Sequence, residues 1–191
     1  KDTILTKGIR TTGASLMLEQ YVPPIDATVY ARLKEQGAVL VGKQNCDAFG
    51  HGASNENSMF GAVRNPYDET KVSGGSSGGS AASVADGQCL FSLAGDTGGS
   101  IRQPAAFCGL AGLRPSYGRV SRYGTIPMGS SLDTIGPIAK TVEDVAYLTS
   151  IIAGRDDRDM TTVSDAVPAY HLGLDQSIKG LRVGIPNEYF D

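Results

Sequence analysis

Two glycine- and serine-rich loops carry the residues of this sequence that are best suited to chemistry. Residues 74–80 read GGSSGGS, and residues 95–104 read GDTGGSIRQP. Glycine adopts positive φ angles that other residues avoid, and it allows a substrate to approach the backbone closely. Because two glycines precede Ser100 in the second loop, several consecutive N–H groups can point at one spot, as an oxyanion hole requires. Ser100 is therefore the candidate nucleophile. The candidate oxyanion donors are the backbone N–H groups of Thr97, Gly98, Gly99 and Ser100.

A serine hydroxyl is a weak nucleophile until a neighbouring base takes its proton. His51 and His171 are the only histidines, the first in a long loop and the second in a charged region, and neither context is typical of a Ser-His-Asp triad. The alternative base is a lysine whose pKa is lowered by burial and which acts through a second hydroxyl. The sequence favours the lysine, and the first loop would then supply that second hydroxyl.

The first loop has two weaker interpretations. A flexible linker would continue in Gly and Ser between two domains, whereas this loop is seven residues long and leads into the helix-forming run AASVA. A phosphate site at a helix N-terminus is the other interpretation. The loop lacks the Lys-Ser/Thr ending of a P-loop and the GxGxxG order of a dinucleotide-binding turn, so this alternative is weak.

Composition indicates a globular protein, with 40% apolar and 19% charged residues among 191. The net charge is −3 without any run of Lys or Arg, so the electrostatic footprint of nucleic-acid binding is missing. Cys46, Cys89 and Cys108 form no CxxC pair, and we expect no metal site and reduced thiols. No stretch approaches the roughly 20 apolar residues of a membrane span, so we expect no membrane partner.

The elements that must position the two loops alternate between helix and strand. Helical patterns predict helices over residues 14–20, 27–36, 79–85, 101–107 and 145–153, and apolar runs predict strands over residues 38–42, 90–94 and 181–185. A helix followed by a buried strand predicts an α/β layer architecture whose strands are covered on both sides. Each glycine-serine loop precedes one of the predicted helices.

Local signals predict where two of these helices begin and end. Asp26 is the predicted N-cap of the first long helix, and Gly37 is its predicted C′ residue. Residues 141–144 (TVED) resemble a capping box before the last helix, and Gly154 follows its end. The predicted buried side of that helix consists of Val142, Val145, Ala146, Leu148, Thr149 and Ile152.

Together these motifs resemble the amidase signature family, whose core runs from GGSSGGS to G-(T/D)-x-GGSIR-x-P. Ser76 and Ser100 stand 24 residues apart, as the two key serines of that family do, and Lys1-Asp2 matches its Lys-Asp dipeptide about 75 residues before the first serine. The resemblance implies an α/β/α sandwich with a central mixed β-sheet covered by helices. Residues 1–191 would be a single amidase-signature domain that is incomplete at both ends, since the chain begins at Lys rather than Met and residues 180–186 resemble a strand that enters a further unit.

The resemblance also implies a role for each site residue. Lys1 would be the base, Ser76 the relay and Ser100 the nucleophile, with a cis peptide bond before Ser76. Asp96 and Arg102 are expected to pair and to hold the shape of the second loop. Ser77 is expected to support the first loop through its hydroxyl. No metal takes part in the implied reaction.

Within the family, four segments resemble the A-type subunits of the tRNA-dependent amidotransferases: residues 54–58, 100–109, 117–124 and 130–133. This resemblance implies glutamine as the substrate, and a hetero-oligomer with B- and C-type subunits that converts Glu-tRNA(Gln) to Gln-tRNA(Gln). The tRNA would be bound mainly by the partner. This chain would hold no cofactor, because ATP and Mg²⁺ belong to the partner, and the expected location is the cytoplasm, or a mitochondrial or plastid matrix in a eukaryote.

Two alternatives to this function stay open. A stand-alone amidase that acts on small or lipid amides would use the same three residues, and a truncated chain could be a non-catalytic fragment with an assembly role. One departure from the A-type subunits leaves the amide substrate open, because residues 49–52 read FGHG where those subunits more often have an apolar residue near the pocket.

Overall fold

A computed structural model describes residues 1–189, which combine α-helices with short β-strands. The helices are α1 (Thr28–Glu35), α2 (Gly78–Ala85), α3 (Arg102–Phe107) and α4 (Val142–Ile152). The strands are β1 (Arg64–Asn65), β2 (Asp68–Val72), β3 (Phe91–Asp96), β4 (Ala111–Gly112) and β5 (Thr134–Ala139). Short 3₁₀ turns cover Leu16–Leu18, Ala48–Gly50, Tyr170–Gly173 and Asn187–Tyr189. The predicted α/β class is confirmed.

The larger sheet has the strand order β3-β5-β4, and β5 runs antiparallel to both neighbours. Phe91 pairs with Ala139 at one end of β3, and Asp96 pairs with Thr134 at the other. β1 and β2 form a separate antiparallel hairpin. The family resemblance implies a mixed sheet, but all the strand pairs within residues 1–189 are antiparallel. Strand β5 was not predicted, because its Gly136 and Pro137 weaken the strand signal.

An apolar cluster lies beneath the two glycine-serine loops and joins the helices that follow them to the sheet. It contains Ala81 of α2, Ala94 of β3, Ile138 of β5 and, around α3, Ile101, Ala105 and Cys108. Ile101 and Ile138 are fully buried, and burying an isoleucine side chain contributes about 1.5–3 kcal/mol. This packing stabilises the positions of the two loops because each leads directly into a helix held by the cluster.

Helix α4 begins as its capping sequence predicts. The Thr141 hydroxyl accepts a hydrogen bond from the Asp144 N–H at 3.0 Å, and Gly154, at φ +110°, follows the helix end. Five of the six residues predicted to face the core are buried, but Val142 is 64% exposed. That prediction was wrong: Val142 is the first residue of the helix, and its side chain stays exposed at the helix end. None of the helices in residues 1–189 has the length and apolar character needed to cross a membrane.

Helix α1 begins one residue later than its predicted N-cap, Asp26, would place it. The residue at the N-cap position is Ala27, which has no capping side chain, and the Asp26 carboxylate instead accepts a hydrogen bond from the Lys7 N–H at 2.6 Å. The prediction of Asp26 as N-cap was therefore wrong by one residue. Gly37 has the positive φ of +83° expected of a C′ residue, which confirms the predicted end of the helix.

Two predicted strands are not strands in the structure. Residues 38–42 have no ladder partner within the described chain, and an apolar groove of about 580 Å³ separates them from Phe91 and Leu93 of β3. Residues 181–185 are also unpaired, and Leu181, Val183 and Ile185 are all more than 70% exposed. Both runs have suitable side chains, but a strand requires a neighbour for its backbone N–H and C=O groups, and residues 1–189 supply none.

A buried carboxylate ties α1 to the turn that follows α4. Asp156 accepts hydrogen bonds from the hydroxyls of Thr28 and Ser121 and from Nε of Arg158, the last at 3.1 Å. Burial by itself would raise the pKa of the Asp156 carboxyl, but these hydrogen bonds outweigh it and hold the pKa well below its usual range. Asp156 is thus expected to stabilise the fold in its ionised form.

Candidate active site

Lys1 lies buried against the edge of β3, with its side chain directed to the first glycine-serine loop. Its main-chain nitrogen donates to the Leu93 carbonyl at 2.8 Å, and its Nζ donates to Ser76 Oγ at 2.6 Å. A longer contact of 3.4 Å joins Nζ to the Gly95 carbonyl. Two residues that are 75 positions apart in sequence are therefore in direct hydrogen-bond contact.

Burial lowers the pKa of the Lys1 side chain from 10.5 to about 8, because the charged ammonium loses its hydration. Nearby acidic groups, including Asp47 and Asp96, oppose this shift but do not cancel it. A lysine with this pKa is neutral in a useful fraction of molecules near physiological pH. Its nitrogen can then accept a proton from Ser76, which is the chemistry of a general base.

The first loop packs so closely against residues 47–54 that a side chain larger than glycine does not fit at Gly75. The peptide bond between Gly75 and Ser76 is cis, as the family resemblance implied. A Cβ atom on Gly75 would lie 2.1 Å from Asp47 Oδ2 and would clash with it. Ser77, the predicted supporting hydroxyl, donates from Oγ to the Gly95 carbonyl at 3.2 Å and so links the two loops.

Asp47 is a buried residue beside this loop that the sequence analysis did not identify. Its N–H donates to the Ser76 carbonyl at 3.1 Å, and its Oδ2 accepts from the Asn55 N–H at 3.0 Å. A Cβ on Gly52 would also clash with the carboxylate. Asp47 therefore joins the first loop to residues 52–55. The sequence signal that could have found it is the string of glycines around an acidic residue in a long loop.

The second loop is organised by the Asp96 carboxylate at the end of β3. Asp96 accepts from the backbone N–H of Gly99 at 2.7 Å and of Ile101 at 3.0 Å, and from Arg102 Nε at 3.1 Å. Arg114 Nε lies 3.4 Å from its Oδ1. The predicted pairing of Asp96 with Arg102 is confirmed, and Arg114 is a second cation that the sequence analysis missed because it lies beyond α3.

One predicted oxyanion donor is used elsewhere. The Gly99 N–H donates to Asp96, in a turn of the kind that aspartate side chains form with residues just ahead of them. Gly99 is therefore not available as a donor, and that part of the prediction was wrong. Within residues 1–189, the backbone N–H groups of Thr97, Gly98 and Ser100 make no hydrogen bond.

Ser100 lines a cavity of about 270 Å³ between the two loops. The other residues around it are Gly50, Gly52, Ala53, Gly75, Gly98, Gly99, Gln103 and Met128. In the part of the chain that is described, Ser100 Oγ makes no hydrogen bond. Lys1 Nζ is hydrogen-bonded to Ser76 Oγ, whereas the two serine hydroxyls are not hydrogen-bonded to each other. The abundance of glycine in this wall leaves room for a small substrate beside the serine.

The histidines do not contribute to this site. His51 is exposed, and its Nδ1 lies 3.2 Å from the Phe49 carbonyl. His171 packs edge-on against Tyr147, with ring centroids 5.4 Å apart. Neither residue lines the cavity beside Ser100, so residues 1–189 form no Ser-His-Asp arrangement there.

Comparison with known proteins agrees with this geometry. The sequence model of the Amidase family matches residues 1–191. The chain is 58% identical over 190 residues to the A-type subunit of glutamyl-tRNA(Gln) amidotransferase from Carboxydothermus hydrogenoformans, and 59% identical over 191 residues to that from a Synechococcus strain. Each alignment covers all of this chain, which spans 39% of the length of each relative.

Solved structures show the same relationship. The A-type subunit of glutamyl-tRNA(Gln) amidotransferase from Thermotoga maritima superposes with a TM-score of 0.86 at 56% identity, over 87% of this chain and 37% of its own. The peptide amidase of Stenotrophomonas maltophilia superposes with a TM-score of 0.84 at 40% identity, over 92% of this chain and 37% of its own. With a family match along its whole length and these neighbours, the chain belongs to the amidase family.

Proposed function

We propose that this chain carries the amide-hydrolysing centre of an A-type subunit of a glutamyl-tRNA(Gln) amidotransferase, which releases ammonia from glutamine. The observation that carries the proposal is the 2.6 Å hydrogen bond from the buried Lys1 Nζ to Ser76 Oγ, beside the cavity that Ser100 lines. The identity of 58% to a protein of that name supports the choice of glutamine. Lys1, Ser76 and Ser100 are the proposed catalytic residues.

In the proposed reaction, Ser100 Oγ attacks the side-chain carboxamide carbon of glutamine. The Ser100 proton passes to Ser76 Oγ as the Ser76 proton passes to the neutral Lys1 Nζ. When the C–N bond breaks, Ser76 donates a proton to the leaving nitrogen, Lys1 returns its proton to Ser76, and ammonia departs. Water then attacks the acyl-enzyme ester by the same proton route, which releases glutamate and restores Ser100.

The oxyanion of the tetrahedral intermediate needs hydrogen-bond donors that are in place before the reaction. We assign this role to the N–H groups of Thr97, Gly98 and Ser100, which have no partner in residues 1–189. Removing a donor of this kind typically costs about 3–4 kcal/mol of transition-state stabilisation. Asp96 keeps the loop in shape by binding the Gly99 and Ile101 N–H groups.

The remaining steps of the proposed function lie outside this chain. Ammonia would pass to a B-type partner that activates and amidates Glu-tRNA(Gln), within a hetero-oligomer that also contains a C-type subunit. We assign ATP and Mg²⁺ to that partner and no cofactor to this chain. The chain spans 39% of its curated relatives, so the rest of the glutamine pocket would come from the remainder of the complete protein.

The test compares serine variants of the complete protein, assembled with its partner subunits, for release of ammonia from glutamine. Ser100→Ala should abolish activity, and Ser76→Ala should lower kcat by at least about 100-fold, because proton transfer by a positioned group contributes about 10²–10⁴-fold. Ser116→Ala, at an exposed serine, is the matched control and should retain full activity. Glutaminase activity in Ser100→Ala would refute the nucleophile assignment.

A stand-alone amidase is the second candidate, because the peptide amidase neighbour is similar over 92% of this chain. The two candidates differ in substrate rather than in chemistry. Assays of glutamine against simple aliphatic amides, each with and without the partner subunits, separate them. A protein that hydrolyses aliphatic amides without partners and ignores glutamine would favour the stand-alone amidase.

A further inference from the structure

We propose that Gln103 is a positioning and substrate-binding residue: its Oε1 holds the first loop in place behind Ser76, and its Nε2 donates to an acceptor oxygen of the substrate. This inference rests on the proposed function, since it concerns the same cavity. The contact between Gln103 Oε1 and the Gly75 N–H, at 2.8 Å, is the observation from which it starts.

Gln103 connects the two loops at the residues next to their key serines. Its own N–H donates to the Gly99 carbonyl at 2.8 Å, immediately before Ser100, and its side chain reaches Gly75, immediately before Ser76. No other side chain in residues 1–189 makes a hydrogen bond to the backbone N–H of Gly75. A change at Gln103 would therefore alter the relation of Ser76 to Ser100 without touching either hydroxyl.

Close packing around Gly74 restricts the position of the Gln103 side chain that contacts Gly75. A Cβ on Gly74, whose φ is +79°, would lie 2.9 Å from Gln103 Oε1 and 2.9 Å from the Cα of Pro104. The loop thus lies directly on the first turn of α3. Pro104 is buried in that turn, so the backbone that carries Gln103 is held in place.

The hydrogen bond also fixes which end of the Gln103 amide is the donor. Since the Gly75 N–H can only donate, the atom facing it must be Oε1, and the amide orientation follows from the network. Within residues 1–189, the Nε2 group makes no hydrogen bond. Gln103 lines the cavity beside Ser100, where an amide with two unpaired N–H donors suits a carbonyl or carboxylate oxygen of the substrate.

Two variants separate the two parts of the proposal. Gln103→Met keeps the length of the side chain but removes both the acceptor and the donor. Gln103→Glu keeps an acceptor for the Gly75 N–H and removes the donor. Gln36→Met, at an exposed glutamine on the end of α1, is the matched control. All measurements use the complete protein with its partner subunits at pH 9, about one unit above the pKa of the Lys1 side chain in the unchanged protein.

The first measurement is the rate at which a small alkyl fluorophosphonate modifies Ser100, a reaction that needs the serines in place but no glutamine recognition. We expect Gln103→Met to lower this rate by at least tenfold, and Gln103→Glu to restore it to within threefold of the unchanged protein. If Gln103→Met reacts within twofold of the unchanged protein, the positioning role is refuted. Amide hydrogen exchange at residues 74–76 should also accelerate in Gln103→Met, and it reports on the contact if activity is lost for other reasons.

The second measurement is steady-state glutaminase kinetics. We expect Gln103→Glu to raise KM for glutamine by at least tenfold with kcat changed by less than threefold, because the lost donor binds the substrate while the serines stay aligned. An unchanged KM would overturn the substrate contact. If the unchanged protein does not hydrolyse glutamine at all, the proposed function fails, while the fluorophosphonate comparison still decides whether Gln103 positions the loop.

Discussion

The pKa of Lys1 offers the most direct test of the proposed relay. Burial lowers the pKa of its side chain to about 8, so roughly one molecule in ten carries a neutral lysine at pH 7, against roughly one in 3,000 at the ordinary value of 10.5. The difference corresponds to about 3 kcal/mol in favour of the neutral base. Because only the neutral form can accept the Ser76 proton, the rate should follow the deprotonated fraction.

The assay is the rate of Ser100 modification by a fluorophosphonate in the complete protein, measured from pH 6 to 10. The rate should rise about tenfold per pH unit below about pH 7 and level off above about pH 9, since the base is then mostly deprotonated. Lys1→Met should lower the plateau by about 10²–10⁴-fold and remove the dependence on pH. Lys7→Met, at an exposed lysine, should leave both unchanged.

Two results would refute this reasoning. A wild-type profile that is flat from pH 6 to 10 would mean that no group with a pKa near 8 controls the nucleophile. A rate in Lys1→Met within threefold of the unchanged protein would mean that the 2.6 Å contact between Lys1 Nζ and Ser76 Oγ is structural. In either case the base would have to be sought elsewhere.

Three further predictions concern stability, each measured by urea unfolding. Asp96→Asn should lower the free energy of unfolding by about 2–3 kcal/mol. Breaking a fully buried ion pair costs ~3–5 kcal/mol, and the loss is smaller here because Arg102 is half exposed. An unchanged urea midpoint would contradict this prediction. Asp156→Asn should also be destabilising at pH 7, and its gap to the unchanged protein should narrow below about pH 4, because a carboxylate with a depressed pKa stabilises only while it is ionised. A gap that stays constant down to pH 2 would count against that role. Thr141→Ala should cost about 1 kcal/mol through the lost cap of α4, whereas Val142→Ala, at an exposed position, should cost much less.

The helices were largely predictable because their signals are local. Thr141 caps α4 through a residue three positions ahead, and Gly37 and Gly154 end helices through their own φ angles. Strands were predicted less well, since residues 38–42 have the right side chains but no neighbour for their backbone in residues 1–189. A strand exists only where another segment completes its hydrogen bonds, and no local pattern reports that.

For the candidate site, the sequence by itself determined the residue types, their spacing and hence the family, and it predicted the pair formed by Asp96 and Arg102. Only the tertiary structure decided which groups meet: it brings Lys1 to Ser76, directs the Gly99 N–H to Asp96 rather than to an oxyanion, and joins Gln103 to Gly75. The first and third of these contacts join residues that are far apart in sequence, and the second depends on the shape of a tight turn. The lowered pKa of Lys1 has the same origin, because burial by residues remote in sequence removes the water that would otherwise stabilise its charge.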